Sequence, residues 1–86
     1  MKIIYPAIFH EEDGAYWVEF PDIEGCFSDG ETIEEAIYNA KEALSTHYES
    51  LVKDKIPIAI PTPIEKIARP ANSWISLVEV EVKNSV

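Results

Sequence analysis

The chain has 86 residues, and a chain of this length buries only about 60–65% of the surface that its unfolded form exposes. Its composition, 47% hydrophobic and 27% charged residues, is typical of a globular protein and argues against a disordered one. The formal net charge of −9 argues against direct nucleic-acid binding, because that affinity comes from lysine and arginine contacts to phosphate. A basic partner is the better match.

The acidic charge is concentrated in one quarter of the sequence. Between residues 11 and 35 there are ten aspartate and glutamate residues and no lysine or arginine, whereas the rest of the chain carries six acidic and seven basic residues. Cys26 is the single cysteine, so it has no internal disulfide partner and no zinc ligand set is apparent. Neither a signal peptide nor an apolar run of roughly 18 residues is found, and the sequence therefore predicts a soluble cytoplasmic protein that does not associate with a membrane.

The first 28 residues predict three strands. Residues 2–9 are apolar on both faces, which predicts a strand inside the domain, and Pro6 indicates that one side of it is unpaired there. Residues 10–14 predict a turn that ends in Asp13-Gly14, and the alternation in residues 15–20 completes an antiparallel hairpin. Residues 25–28 are just long enough for a short third strand.

The remainder predicts one helix, a connector and a last strand. Thr32 followed by Glu35 is a capping box, and apolar residues at helical spacing predict an amphipathic helix over residues 33–53. Four prolines predict an extended connector, at most with one short edge strand, and residues 73–82 predict a strand that returns to the sheet. The predicted fold class is α+β, in the order β-β-β-α-β, with the helix packed on one sheet face.

The carboxylates are the first candidates for chemistry. A metal-dependent nuclease of the RNase H type needs converging carboxylates, typically one of them in the middle of the first strand, where this chain has none. Such an enzyme would have to use Asp22, Glu24 and Asp29. The sequence favours a solvated acidic face that binds a partner, and no catalytic residue, cofactor or metal is predicted. The predicted partner-binding residues are Glu11, Glu12, Asp13, Asp22, Glu24 and Asp29, with Trp17 and Trp74 as interface anchors if they are exposed.

Three other residues have reactive side chains. His10, beside three acidic residues, is expected to be exposed in the hairpin turn. His47, on the flank of the apolar helix stripe, is expected to be partly buried and hydrogen-bonded. Cys26 is expected to be a buried residue with a neutral thiol, because its acidic neighbours disfavour the thiolate.

An ordered set of motifs in the first 55 residues resembles the HicB family of antitoxins, and the rest of the chain follows the layout of that family more loosely. The set begins with Tyr5-Pro6-Ala7 in the first strand and the Asp13-Gly14 turn. It continues with the strand end at residues 18–22, the segment at residues 25–30 and the helix that starts after Thr32.

The resemblance implies an incomplete RNase H-like domain that has lost its nuclease carboxylates and is not an enzyme. It further implies a partner, a small basic HicA-like toxin that cleaves mRNA and whose active surface the antitoxin covers. We expect one domain over residues 1–82 and a tail over residues 83–86. Many family members carry a C-terminal DNA-binding module that this sequence lacks, so it is either a single-domain member or part of a longer protein, and direct nucleic-acid binding is not expected.

Self-association is also expected. A thin core and open strand edges favour a homo-oligomer, a dimer or a tetramer. An orphan oligomeric scaffold without a toxin is the remaining alternative to the antitoxin.

Overall fold

The computed structural model describes residues 1–83, in which four strands form one antiparallel sheet. The strands are β1 (Lys2–Glu12), β2 (Ala15–Glu19), β3 (Phe27–Gly30) and β4 (Ser73–Glu81). Their order across the sheet is β3-β2-β1-β4, and the helix α1 (Ile33–Lys53) packs on one face. The predicted α+β class and the predicted order of elements are confirmed.

Strand β1 lies between β2 and β4, and its two apolar faces agree with the predicted strand inside the domain. It pairs with β4 from Lys2 to His10, but with β2 only from Ile8 to Glu12. In the described part of the chain, residues 2–6 therefore have a partner strand on one side only. Pro6, which has no N–H to donate, falls in this half-paired segment, so the prediction made from it is confirmed.

The hairpin between β1 and β2 is tighter than predicted. Strand β1 continues through Glu12, so the prediction that residues 10–12 belong to the turn was wrong. These residues stay in the strand because they pair with residues 15–17 of β2. The turn consists of Asp13 and Gly14, whose φ angles of 52° and 79° are the two left-handed conformations that a two-residue hairpin of type I′ requires.

Helix α1 begins and ends at the predicted residues. The Thr32 hydroxyl accepts the Glu35 N–H at 3.0 Å, and the Glu35 carboxylate accepts the Glu31 N–H at 2.8 Å, so side chains satisfy two backbone donors before the first helical hydrogen bonds. Ala36, Ala40 and Leu44 face the sheet and are fully buried. Small residues on this face allow the helix to lie close to the strands.

Helix α1 and strand β3 approach each other closely at Gly30. A Cβ atom at this position would clash with the backbone nitrogen of Ala36, and it would lie 2.8 Å from Cα of Ala36 and 2.9 Å from the carbonyl carbon of Glu35. Both are backbone atoms of the first helical turn, so no side-chain rotation could relieve the contact. Glycine at residue 30 therefore fixes how near the helix start sits to the edge of the sheet.

The connector from residue 54 to residue 72 is extended, as predicted, but contains no strand within the described residues; one turn of 3₁₀ helix (Ile64–Lys66) is present instead. The Tyr5 hydroxyl donates to the Ala59 carbonyl at 2.6 Å, and Ile58 packs against the core. Further along, the Asp22 carboxylate accepts hydrogen bonds from the Thr62 N–H at 2.8 Å and from the Thr62 hydroxyl. These contacts hold the connector on the domain.

The ends of the chain add two observations. Of the predicted tail, Lys83 is described and residues 84–86 lie outside the described residues. Neither helix in residues 1–83 combines the length and the apolar character needed to cross a membrane. The predicted relation to RNase H stays a prediction.

Candidate partner-binding surface

The tip of the β1–β2 hairpin carries three of the predicted partner-binding residues. Glu11 and Glu12 are the last residues of β1, Asp13 is in the turn, and all three side chains are exposed. Because the turn is only two residues long, the three carboxylates are held close together in sequence and in space. The predicted exposure of this acidic segment agrees with the structure.

The start of α1 brings three more carboxylates to the same end of the molecule. Gly30 pairs with Tyr16 of β2, so the residues that follow it lie beside the hairpin. A shallow depression there is lined by Ala15, Tyr16, Glu31 and Glu35 among other residues. We call the combined surface the acidic end, and it consists of Glu11, Glu12, Asp13, Glu31, Glu34 and Glu35, all exposed.

Sequence reasoning missed the helical half of the acidic end. Glu31, Glu34 and Glu35 were accounted for by the turn and the helix cap and were not assigned to a binding surface. The signal was present in the order of elements: a helix that follows the third strand of a meander starts at the end of the sheet where the first hairpin turns.

Of the other three predicted residues, Asp22 and Glu24 lie elsewhere, whereas Asp29 also lines the depression at the acidic end. Asp22 is half-buried and engaged by Thr62, so its carboxylate has a structural role. Glu24 is exposed in the turn after β2, at the opposite end of that strand from the hairpin tip. Asp29 pairs with Trp17 in the middle of the β2–β3 ladder. The six predicted residues therefore do not form one continuous face.

The carboxylates required by the nuclease alternative do not converge. Asp22 is bonded to the connector, and Asp29 lies on a strand across from Trp17. Among residues 1–83, no group of three or more histidine, cysteine, aspartate or glutamate side chains is arranged to hold a metal ion. The geometry that two-metal catalysis needs is therefore missing from the described residues.

Trp17 and His10 form a stacked pair on the sheet face that is opposite α1. Their ring centroids are 3.8 Å apart and the planes differ by 6°. His10 Nε2 lies 2.7 Å from a carboxylate oxygen of Glu19, and the histidine is buried, so the expectation that it is exposed in a turn was wrong. It is buried because β1 continues past it, which places its ring between Trp17 and Glu19. Trp17 itself is half-buried.

Trp74, the second predicted anchor, lies on the opposite face of the sheet. It stacks on Phe9 at 5.3 Å between ring centroids and meets Tyr16 edge-on at 6.0 Å. Its half-buried side chain packs against the core below α1. Most of its contacts are therefore internal.

The sheet face away from α1 is partly apolar, and we call it the open sheet face. Pro6 and Ile8 are buried on it, but Phe27, Leu77 and Ile4 are 60%, 57% and 42% exposed. These three residues lie on β3, β4 and β1, so the exposed apolar surface extends across the sheet. Sequence reasoning identified the alternation in β4 but not this surface.

Cys26 and His47 lie where the sequence predicts. Cys26 is 1% exposed, and burial raises the pKa of its thiol from 9.0 to about 11. The thiol is therefore neutral at physiological pH. His47 is half-buried, and its Nδ1 donates to the Ala43 carbonyl at 3.1 Å.

These features define the chain as a small acidic α+β domain whose exposed surfaces are suited to binding another protein. Comparison with known families gives its relationship: the family model of the HicB-like antitoxin of bacterial toxin-antitoxin systems matches residues 5–85. The chain belongs to this family, which confirms the resemblance seen in its motifs.

Two relatives are longer than this chain, and the match covers only part of each. Antitoxin HicB 1 of Photorhabdus laumondii is 42% identical over 61 residues, which are 70% of this chain and 39% of that protein. An uncharacterized 14.9 kDa protein from the rep-hol intergenic region of Haemophilus phage HP1 is 41% identical over 64 residues, 74% of this chain and 48% of that protein. The matched region thus makes up less than half of each relative.

Solved structures of antitoxins share the fold. The N-terminal domain of Burkholderia pseudomallei antitoxin HicB has a TM-score of 0.77 and 36% identity, with 92% of this chain and 99% of that chain covered. A chain of a toxin-antitoxin complex from Streptococcus pneumoniae has a TM-score of 0.83 and 28% identity, with 96% and 70% covered. A chain of the HicA3 and HicB3 toxin-antitoxin complex has a TM-score of 0.73 and 28% identity, with 95% and 100% covered.

Proposed function

We propose that this protein is an antitoxin that binds a small basic HicA-like mRNA-cleaving toxin and neutralises it by covering its active surface. The likeness to a chain of the HicA3 and HicB3 complex carries the proposal, because it extends over 95% of this chain and 100% of that one. Membership of the HicB-like antitoxin family supports it. The protein then acts by occlusion and not by catalysis, in the cytoplasm where mRNA is translated.

The acidic end supplies the electrostatic part of the proposed interaction. It gathers six carboxylates within residues 11–35, a segment with no lysine or arginine. A concentration of one charge accelerates encounter with an oppositely charged protein, and salt weakens the effect beyond a Debye length of about 8–10 Å.

Apolar side chains beside the acidic end supply surface for a stable contact. Ile33, Ile37 and Tyr38 are 42%, 37% and 64% exposed, and all three lie in the first two turns of α1. The predicted apolar stripe included both isoleucines together with Ala36 and Ala40, but only the alanines are buried. Protein interfaces combine an apolar centre with a polar rim, so we place the proposed contact on the acidic end and this adjoining part of α1.

The test pairs the chain with the small basic protein encoded beside its gene. We expect the two purified proteins to associate at low ionic strength, more weakly as salt is added, and the toxin to lose mRNA cleavage in the complex. If the two proteins do not associate even at low ionic strength, the proposal is wrong. An orphan scaffold, or an antitoxin of another partner, would give this result.

Charge variants locate the contact. The triple variant Glu11→Gln, Glu12→Gln, Asp13→Asn removes charge at the acidic end. A matched triple, Glu49→Gln, Asp54→Asn, Glu65→Gln, removes the same charge at exposed positions elsewhere. We expect association to slow by about tenfold or more for the first triple and to change little for the second. Equal slowing of association by the two triples would show that the net charge of the protein drives association, and not the local charge of the acidic end.

A further inference from the structure

The outer edge of β4 presents unpaired backbone groups, and the pairing register identifies them. Pro6 lies opposite Leu77 and has no N–H, so the two residues do not exchange hydrogen bonds and the backbone groups of Leu77 point away from β1. The bond from the Glu11 N–H to the Asn72 carbonyl at 3.2 Å fits the same alternation, in which even-numbered residues bond to β1. The N–H and C=O groups of Ile75, Leu77 and Glu79 therefore point outward.

Within residues 1–83, little covers this edge. Arg69 donates to the Ser73 carbonyl at one end of the strand, but the outward groups of Ile75, Leu77 and Glu79 have no hydrogen-bond partner. Strand β4 spans nine residues without proline, glycine or lysine, the residues that usually protect an exposed edge. Its side chains at the edge include Leu77, which is 57% exposed.

The acidic residues of β4 are compensated within the chain. Glu79 lies 3.5 Å from the Lys2 ammonium group, and Glu81 lies 2.8 Å from the N-terminal amine of Met1. Their charges therefore repel a second negatively charged strand less than isolated carboxylates would. Both lie toward the C-terminal end of β4, which leaves the segment from Ser73 to Val78 free of charge.

We propose that β4 pairs with β4 of a second copy of this chain, in antiparallel orientation about a two-fold axis at Ser76. In this register Ile75 of each copy faces Leu77 of the other, and each of these two pairs exchanges both N–H···O bonds. Glu79 faces Ser73 of the second copy and meets no other carboxylate. The two sheets join into one continuous sheet with the open sheet faces on the same side.

Registers shifted toward the C-terminal end of β4 are less favourable. An axis at Leu77 would place Glu79 opposite Ile75 of the second copy, and an axis at Glu79 would place two like charges opposite each other. The axis at Ser76 instead gives two apolar pairs of Ile75 with Leu77. Only the edge of each sheet is in contact, so we expect a reversible dimer whose population rises with concentration.

The first test compares two matched variants by sedimentation equilibrium. Leu77→Lys places like charges next to the two-fold axis, whereas Phe27→Lys makes the same change at a residue equally exposed on the open sheet face but on β3. We expect the wild-type chain to dimerise, Leu77→Lys to raise the dimer Kd by about tenfold or more, and Phe27→Lys to leave it unchanged.

Several results would overturn the proposal. The first is a wild-type chain that remains monomeric at the highest concentration reached, which is expected if β4 pairs instead with a strand of another protein. The second is a dimer that Leu77→Lys does not weaken. A dimer that Phe27→Lys disrupts as strongly would show that the open sheet face, and not the strand edge, forms the contact.

Cross-linking checks the register and does not depend on the folding of the lysine variant. Residues directly opposite in a non-hydrogen-bonded pair have Cα atoms about 4.5 Å apart, which is within the range of a disulfide. Ser76→Cys is therefore expected to form a covalent dimer under mild oxidation, while Phe27→Cys is not. The native Cys26 is buried and does not interfere. Failure of Ser76→Cys to cross-link would exclude this register.

Discussion

Replacement of Gly30 by alanine tests the close contact between α1 and β3. The added Cβ would lie 2.8 Å from Cα of Ala36 and 2.9 Å from the carbonyl carbon of Glu35, whereas ordinary contacts of a Cβ begin near 3.4 Å. The first turn of α1 must move outward or β3 must bend to restore ordinary contacts. The Thr32 cap and the burial of Ala36 oppose this movement. Strain of this kind in a well-packed site costs about 1–3 kcal/mol.

The expected loss is large for a domain of this size. At about 0.05–0.15 kcal/mol per residue, a chain of 86 residues has a free energy of unfolding of roughly 4–13 kcal/mol. We expect Gly30→Ala to lower it by about 2–3 kcal/mol because the clash is with backbone atoms, and to lower Tm by about 10–20 °C.

Urea unfolding followed by tryptophan fluorescence and circular dichroism measures the difference. The midpoint should fall while the slope with urea stays unchanged. Gly14→Asn is the control, because a Cβ at residue 14 meets no atom within 4 Å and asparagine tolerates the left-handed conformation. If Gly30→Ala unfolds within about 0.5 kcal/mol of the wild-type chain, α1 does not approach β3 as described.

Two further predictions concern buried polar groups. Because burial raises the pKa of Cys26 from 9.0 to about 11, the unfolded thiol ionises before the folded one, so its contribution to stability is complete below pH 9 and is lost between pH 9 and 11. The free energy of unfolding, measured with urea, should fall across this pH range by up to about 2–3 kcal/mol, and by less in Cys26→Ala. An equal fall with pH in the two proteins would contradict the burial of the thiol. Thr62→Val removes the hydroxyl bonded to the half-buried Asp22 and should cost about 1–2 kcal/mol, whereas Thr46→Val at an exposed helix position should cost less than about 0.5 kcal/mol; equal losses would mean that the connector is not held there.

The sequence predicted those elements whose signals are local. Thr32 and Glu35 mark the start of α1 by their own hydrogen bonds, so the helix needed no tertiary information. The apolar residues on both faces of β1 predicted that this strand lies inside the domain. The position of Pro6 predicted the half-paired segment, because the missing donor is a property of the residue itself.

The predictions made from the sequence were incomplete or wrong where contacts with a distant segment determine the position of a residue. His10 looked like part of a turn because three acidic residues follow it, but β2 extends the ladder and Trp17 covers its ring. The sequence did not bring Glu31 and Glu11 together for the same reason: they are far apart in sequence and lie at the same end of the molecule only because β3 pairs with β2. Asp22 was assigned to the surface because its partner Thr62 lies 40 residues away.

The position of the acidic end at the start of α1 affects how the sequence can vary. Aligned peptide dipoles give the N-terminus of a helix a partial positive charge, and Glu34 and Glu35 lie in the first turn. The carboxylates that the proposed toxin would meet therefore stabilise the helix instead of straining the fold, and Glu35 also completes the cap. Binding sites are often maintained at the expense of stability. Here selection for folding and selection for an acidic surface act on the same residues in the same direction.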